Sequence, residues 1–228
     1  MQRSCVRVLL VGAKGRMGRT IIDLVKTEPN IEIVAQCDLG DAIAPAMKDS
    51  DVLIDFSQAE AIDEICRAAT KYRQPIVIGT TGHSPAQREL IEKTAQSVPI
   101  VFASNFSVGV NALFALARQA GEILCGFDVA IVEAHHKSKK DAPSGTAKTL
   151  AEILKRARRS QRDVPIESIR EGEITGEHSV VFTGEGERLE LIHRTASRGI
   201  FARGALRAGQ WIIGKPAGLY SMQNVLGL

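Results

Sequence analysis

Short apolar segments alternate with amphipathic helical segments through the first hundred or so residues, and this alternation constrains the fold most strongly. Each apolar segment is a nearly continuous run of Val, Ile and Leu, which strands covered on both faces of a sheet require. Strands that alternate with helices are joined by right-handed crossovers and lie parallel. The pattern predicts an α/β fold with a Rossmann-like, doubly wound parallel sheet, with strands at 6–11, 31–35, 51–55, 75–78 and 99–103 and helices at 19–26, 59–71 and 85–96.

The pattern changes after Asn105. Segments of alternating polarity now dominate, and this period-two pattern is typical of antiparallel strands with one solvated or partner-covered face. The predicted elements are helices at 110–123, 146–154 and 201–213 and strands at 129–132, 168–174, 178–182 and 187–193. We expect a dinucleotide-binding domain at 1–106, with the segment 199–228 packing back on it, and a C-terminal α+β domain at 107–198.

A glycine-rich loop joins the first strand to the first helix. Gly12, Gly15 and Gly18 follow Gly-x-x-Gly-x-x-Gly, and Lys14 stands where the usual Gly-x-Gly-x-x-Gly pattern has its second glycine. Glycine permits a tight turn and lets the backbone approach a pyrophosphate at the helix N-terminus. The loop therefore predicts a dinucleotide site, and a structural glycine turn is the alternative.

Asp38 ends the second strand, where an acid typically hydrogen-bonds the ribose 2′-hydroxyl of NAD. Leu39 supplies no cation for a 2′-phosphate, although Lys14 and Arg16 could do so. These residues favour NADH slightly, with NADPH accepted. The loops Gly79–Gly82 and Ala103–Phe106 follow the fourth and fifth strands, at the edge where open α/β sheets bind ligands.

The segment from Glu133 to Thr146 reads Glu-Ala-His-His-Lys-Ser-Lys-Lys-Asp-Ala-Pro-Ser-Gly-Thr and lies between a predicted strand and a predicted helix. Histidine exchanges protons near neutral pH, so His135 or His136 could protonate a reduced substrate. Lys139 could act as a counter-ion or a second proton source. Ser144, Gly145 and Thr146 begin the next helix and could hold a carboxylate or phosphate.

Several of these side chains also fit other roles. The His-His pair could ligate zinc, but no third ligand lies at a suitable spacing, so we expect no metal. Lys137 and Lys140 suit a solvated face, and Asp141 suits an organiser of the loop. His178 and His193 fit structural roles better than catalysis, and Arg198 could clamp an anion or brace the hinge between the domains.

Composition narrows the class of partner. The 228 residues carry a net charge of only +3 and 4% aromatics, which favours neither nucleic-acid binding nor a base-stacking surface. We expect no membrane span, because no apolar run approaches the roughly 18 residues that one requires, and no secretory signal peptide. The four cysteines are scattered, which suits reduced thiols in the cytoplasm.

With these motifs assembled, the chain resembles the 4-hydroxy-tetrahydrodipicolinate reductase (dihydrodipicolinate reductase) family of the diaminopimelate and lysine pathway. The resemblance runs almost end to end, and the segment from His135 to Thr146 is its most specific part. The other matching segments are 11–18, 79–82, 103–111, 176–178 and 218–222. The stretch between Asp38 and Asp51 is short, so one helix of longer relatives is expected to be missing.

The resemblance implies a homotetramer assembled through the C-terminal sheets and NAD(P)H-dependent reduction of a cyclic imine dicarboxylate. It implies that His135 is the proton donor, that Lys139 is the second catalytic cation, and that His136, Ser144, Gly145 and Thr146 bind the substrate carboxylates. It places the dinucleotide contacts at Gly12, Ala13, Lys14, Gly15, Arg16, Met17, Asp38, Gly79, Thr80, Thr81, Ala103, Ser104, Asn105 and Phe106. The alternatives are another two-domain reductase, such as an aspartate or sugar dehydrogenase, and a dinucleotide-binding redox sensor.

Overall fold

The structure, a computed structural model, describes residues 5–228 and divides into two compact units. The first unit comprises residues up to Ser107 together with Gly199–Leu228, and the second comprises Val108–Arg198. The helix 199–212 and the segment after it therefore belong to the first unit.

The first unit is built on a six-stranded sheet with the order β10-β5-β4-β3-β1-β2, and every neighbouring pair is parallel. The predicted Rossmann-like doubly wound sheet is thus confirmed. Its strands are β1 Val6–Val11, β2 Ile31–Cys37, β3 Val52–Asp55, β4 Ile76–Ile78, β5 Pro99–Phe102 and β10 Gly218–Tyr220. Its helices are α1 Arg16–Val25, α2 Ile43–Ala46, α3 Ile62–Tyr72, α4 Pro85–Ala95, α7 Gly199–Ile212 and α8 Met222–Leu226, with 3₁₀ turns at Met47–Asp49 and Ala59–Ala61.

The continuous apolar character of β1 follows from burial on both faces of the sheet. Val8 and Leu10 join one core with α1 and α7, whereas Leu9 and Val11 join the other core with α3. Because successive side chains point to opposite faces, a strand between two helical layers must be apolar at every position.

The second unit contains a four-stranded sheet with the order β7-β6-β8-β9. The strands are β6 Asp128–His135, β7 Ile166–Arg170, β8 Gly176–Gly184 and β9 Glu187–Thr195, and the helices are α5 Val108–Ile123 and α6 Gly145–Ala157. Both helices contribute to the core on one face of this sheet, with Leu113 from α5, Leu150 from α6 and Phe182 from β8.

Two expectations about this sheet were wrong. The strand predicted at 168–174 ends at Arg170, and it pairs parallel with β6 rather than antiparallel. The period-two pattern reports that one face is buried, but the direction of a strand is set by its connection, here the crossover through α6. The short elements α2, β10 and α8 were not predicted. They span four, three and five residues, too few to show a clear period.

Candidate active site

The centre of the candidate catalytic site is the carboxyl end of β6. Glu133 and His135 are two residues apart on this strand, so their side chains project to the same face of the sheet. Both residues are buried: the exposed fraction of the surface is 0% for Glu133 and 8% for His135. A buried carboxylate and a buried imidazole therefore lie on the same face of the sheet at the end of a central strand.

The two side chains form a tight hydrogen bond. His135 Nδ1 lies 2.5 Å from Glu133 Oε2, and the other carboxylate oxygen accepts from Arg170 Nη2 at 2.7 Å and from the Ser144 N–H at 3.2 Å. Burial raises the pKa of Glu133, but hydrogen bonds from Arg170, Ser168 and His135 outweigh that effect and lower it to about 2. Because Glu133 is ionised, Nδ1 must carry the proton of neutral His135, and Nε2 is the nitrogen left for chemistry.

His178 completes the buried cluster. It faces Glu133 in the antiparallel register between β6 and β8, and its ring meets the His135 ring edge-on with centroids 5.2 Å apart. Its Nε2 lies 2.9 Å from Ser144 Oγ. Burial, together with the electrostatic effect of His135, lowers the pKa of His178 to about 4. Burial, with the charges of Lys139 and Arg170, also lowers the pKa of His135, although Glu133 acts in the opposite direction. Both rings are therefore neutral near pH 7.

Strand pairing brings together three potential metal ligands that are not adjacent in sequence. Ligand atoms of Glu133, His135 and His178 all lie within 4.8 Å of one another. Two ligands of one tetrahedral zinc lie about 3.3 Å apart, however, and Glu133 and His135 are at 2.5 Å as hydrogen-bonding partners. Arg170 already neutralises the carboxylate. The hydrogen bond to His135 and the ion pair with Arg170 suit a cluster that holds a proton rather than a metal ion. That the site binds no metal remains a prediction.

The loop after β6 carries the cations that were predicted from sequence. Lys139 Nζ donates to both carboxylate oxygens of Asp141, at 2.6 and 2.8 Å, and 21% of the lysine side chain is exposed. The main-chain oxygen of Asp141 accepts from Arg170 at 2.6 Å, so Asp141 organises the loop as expected. His136 Nδ1 pairs with Ser138 Oγ at 2.7 Å. His135 and His136 thus occupy different environments.

Ser144 is the N-cap of α6. Its surroundings are not those expected of a residue that binds the substrate. Its hydroxyl accepts from the Ala147 N–H at 3.2 Å, lies against His178 and is almost fully buried. Gly145 and Thr146 occupy the first turn, where helix amides point toward the N-terminus. Three residues of the site were not predicted from the sequence: Glu133, Arg170 and His178. The alternation of side chains along a strand puts Glu133 on the same face as His135, and this signal could have revealed it. Arg170 reaches the site only through strand pairing.

The glycine loop of the first unit is shaped by close backbone approach. Gly12 has a φ of +83°, and a Cβ there would lie 2.4 Å from the Phe56 main-chain oxygen. A Cβ on Gly18 would lie 2.2 Å from the Gly12 oxygen, so this glycine lets α1 pack against the loop. Gly15 is the N-cap of α1, and no side chain caps this helix. The first amides of α1 therefore fit an anion.

Asp38 lies beside this loop, at the end of β2. Its carboxylate accepts from the Lys14 N–H at 3.1 and 3.2 Å, and its own N–H donates to Asp41 at 2.9 Å. A cavity of about 560 Å³ opens here, and its lining includes Gly12, Gly15 and Asp38. Its other charged lining residues are Asp41, Glu60, Asp63, Glu64 and Arg67. Its size and position fit the adenosine half of a dinucleotide.

The two other predicted loops follow β4 and β5 at the same carboxyl edge of the sheet. Thr81 and Ser104 are exposed, whereas Thr80 and Phe106 are buried. The Phe106 ring packs edge-on against Phe56 with centroids 5.7 Å apart, so it belongs to the core. Thr80 and Phe106 can therefore meet a ligand through their main chains rather than through their side chains.

Comparison with known proteins identifies the family. Residues 6–106 match the family model "Dihydrodipicolinate reductase, N-terminus", and residues 109–226 match "Dihydrodipicolinate reductase, C-terminus". The 4-hydroxy-tetrahydrodipicolinate reductase of Akkermansia muciniphila is 43% identical over 98% of this chain and 98% of the relative. That of Methanoregula boonei is 40% identical over 97% and 98%.

Solved structures agree on the fold. A dipicolinate-bound dihydrodipicolinate reductase from Paenisporosarcina sp. TG-14 superimposes with a TM-score of 0.85 at 23% identity, over 96% of this chain and 99% of that one. A C. glutamicum DAP dehydrogenase shares the fold with a TM-score of 0.61 at 14% identity, over 96% and 93%. The relatives match over nearly their full length, and both halves of the family model are present. The chain therefore belongs to the dihydrodipicolinate reductase family.

Proposed function

We propose that this chain reduces 4-hydroxy-tetrahydrodipicolinate, by way of dihydrodipicolinate, to tetrahydrodipicolinate with NADH or NADPH, in diaminopimelate and lysine biosynthesis. The observation that carries the proposal is the buried Glu133–His135 pair at the end of β6, next to Lys139 and the N-terminus of α6. A reductase of an imine dicarboxylate needs an acid and several groups that bind carboxylates, and this end of the second unit provides both.

On the substrate side, His135 is the proton donor and Glu133 fixes its ring. A bound nicotinamide supplies the hydride. His135 is neutral in the free protein, and a dianionic substrate favours its imidazolium form because negative charge stabilises the added proton. Nε2 then gives that proton to the reduced substrate, while Nδ1 keeps its own proton, hydrogen-bonded to Glu133. His135 thus acts as the acid, and the Glu133 carboxylate orients its ring.

Lys139 is the second catalytic cation, and its ammonium group is paired with the Asp141 carboxylate in the loop after β6. A substrate carboxylate would compete with Asp141 for this ammonium group. His136 and the amides of Gly145 and Thr146 bind the carboxylates. Ser144 acts on the substrate indirectly, because its hydroxyl caps α6 and contacts His178.

On the cofactor side, the amides at the start of α1 bind the pyrophosphate and Asp38 binds the adenosine ribose. NADH is favoured over NADPH. A 2′-phosphate would enter a cavity lined by five carboxylates and by the cation Arg67, so like charges outnumber the opposite charge there. The carboxylates are those of Asp38, Asp41, Glu60, Asp63 and Glu64. Lys14 offsets only part of this repulsion, because its ammonium already lies 4.0 Å from Asp38.

The protein works as a homotetramer in the cytoplasm. On β9, Ile192 is 42% exposed and points to the face opposite Leu191, which packs on the core; this supports pairing through the outer face of the sheet. The cysteines are unpaired thiols, which suits a reducing compartment. No helix within residues 5–228 has the length and apolar character needed to cross a membrane. Light scattering that gives the mass of a single chain would overturn the tetramer.

The reaction is tested by following NADH and NADPH oxidation with freshly generated 4-hydroxy-tetrahydrodipicolinate. We expect wild-type turnover that falls by about 10²–10⁴-fold in His135→Ala and in Lys139→Ala, with unchanged NADH binding. Lys137→Ala is the matched control, since that lysine lies in the same loop and is exposed. Tight NADH binding without wild-type turnover would instead support another dehydrogenase or a redox sensor.

A further inference from the structure

A buried polar cluster in the first unit has no part in the reaction described above. It consists of Asp55, Thr80 and His83, which are 0%, 5% and 6% exposed. Asp55 ends β3, and Thr80 and His83 follow β4, so the cluster lies at the carboxyl edge of the sheet. Among the described residues, Asp55 Oδ2, Thr80 Oγ1 and both ring nitrogens of His83 lack a hydrogen-bond partner. Such groups are few in folded proteins and point to a function.

Asp55 links two loops on this edge. Its Oδ1 accepts from the Ser57 N–H at 2.9 Å and from the Ser57 hydroxyl at 2.5 Å. Its main-chain oxygen accepts from the Gly79 N–H at 2.8 Å, and it stands in register with Ile78 of β4. One residue therefore holds both the turn after β3 and the turn after β4.

The turn after β4 is Gly79–Thr81, one of the predicted dinucleotide loops. Thr81 is exposed, whereas the Thr80 side chain is buried and points away from solvent. A Cβ on Gly79 would lie 2.3 Å from the Phe56 ring, so the turn also packs closely on the loop that Asp55 holds. The turn can present its main chain to a ligand only while the loop beneath it stays in place.

The surroundings of Asp55 suit a fixed polar anchor. Burial raises the pKa of its carboxyl, and the Ser57 and Thr80 hydroxyls act in the opposite direction. His83 packs edge-on against Phe102 at the end of β5, with ring centroids 5.5 Å apart. The cluster thus touches the ends of three adjacent strands, β3, β4 and β5, at the edge where the dinucleotide is expected.

We propose that Asp55 is a positioning residue for the dinucleotide: its carboxylate holds Ser57 and the Phe56 loop, on which the Gly79–Thr81 turn packs. The inference rests on the proposed cofactor site. Asp55 touches neither cofactor nor substrate in this account; it acts through the main chain of the turn. Its removal should therefore weaken dinucleotide binding and leave the binding of the dicarboxylate unchanged.

The experiment measures the NADH dissociation constant by calorimetry for Asp55→Ala, Asp55→Asn and Asp51→Asn. Asp51 is the matched control: it precedes the same strand, at the opposite edge of the sheet, and its carboxylate binds Arg7 at 3.0 Å. We expect about tenfold weaker NADH binding in Asp55→Ala, a matching rise in KM for NADH and an unchanged KM for the dicarboxylate. Asp55→Asn should restore most of the affinity, because its amide oxygen can still accept from the Ser57 N–H and hydroxyl.

Equal NADH affinity in Asp55→Ala and wild type would overturn the inference, as would an equal loss of affinity in Asp51→Asn. If Asp55→Ala does not fold, Ser57→Ala decides: it removes the hydroxyl that donates to Asp55 Oδ1, and wild-type affinity in this variant would also overturn the inference. Failure of the proposed function is distinguishable, because wild-type protein would then not bind NADH or not reduce the substrate at all.

Discussion

Replacing Glu133 by glutamine tests the buried pair most severely. The substitution keeps the shape of the side chain but removes the charge, and an amide nitrogen can take the place of Oε2 opposite His135 Nδ1. The amide N–H and the Nδ1–H of His135 would both be donors, and two donors cannot hydrogen-bond to each other. The tautomer of His135 with its proton on Nδ1 is then no longer favoured. The pKa of His135, already lowered by burial, should fall further because the carboxylate that raises it is gone.

Two magnitudes follow. Loss of the oriented acid should lower kcat by about 10²–10⁴-fold. Glu133 is wholly buried and its Arg170 partner keeps 18% of its side-chain exposure, so the broken ion pair should destabilise the fold by about 3 kcal/mol. The expected signature is a large loss of kcat in a protein that still folds and still binds NADH.

The assay is the pH dependence of kcat, with thermal denaturation and an NADH titration alongside. Glu190→Gln is the control, because Glu190 also pairs with an arginine in the same sheet but lies at the surface, at 38% exposure. This control should keep wild-type kcat and lose less than about 1 kcal/mol. A folded Glu133→Gln protein with wild-type kcat and an unshifted pH profile would refute the role assigned to the pair.

Three further predictions follow from the geometry. Binding of dipicolinate should take up protons, because a dianion raises the lowered pKa of His135. The affinity should therefore fall as the pH rises toward the pKa that His135 has in the complex. Calorimetry that gives the same heat in buffers of different ionisation enthalpy would contradict this. Asp38→Asn should raise KM for NADH and lower it for NADPH, moving their ratio by about tenfold; steady-state rates with both cofactors measure the ratio, and an unchanged ratio would refute the assignment of Asp38. Gly176→Ala places a methyl group 3.2 Å from His135 Nε2, so kcat should fall while NADH affinity stays constant; stopped-flow turnover at saturating NADH measures this, and unchanged turnover would show that the ring has room to move.

The sequence predicted most of the first unit because its signals are local. The apolar runs of β1, β3 and β4 and the glycines after β1 need no partner to be interpreted, since burial on both faces and a tight turn each leave a local pattern. The direction of β7 could not be predicted, because a strand pattern of period two is the same for parallel and antiparallel neighbours.

The site was predicted in part for the same reason. His135 and Lys139 lie in one contiguous segment, whereas Arg170 and His178 reach Glu133 only through the register of β6 with β7 and β8. Ser144 was predicted only in part. Its place before a helix predicts that it caps the helix. Whether its hydroxyl faces a ligand or the core depends on His178, which comes from another strand. Roles that depend on pairing between distant segments leave no local pattern.

The most direct test of the central claim is the fate of the hydride. Wild-type protein is supplied with 4-hydroxy-tetrahydrodipicolinate and with NADH deuterated at the transferring position, and the product is analysed by mass spectrometry. The account predicts that each tetrahydrodipicolinate formed carries one deuterium, and that His135→Ala makes the same labelled product far more slowly. NADH oxidation without deuterium in the product would contradict the claim that this chain reduces the cyclic imine.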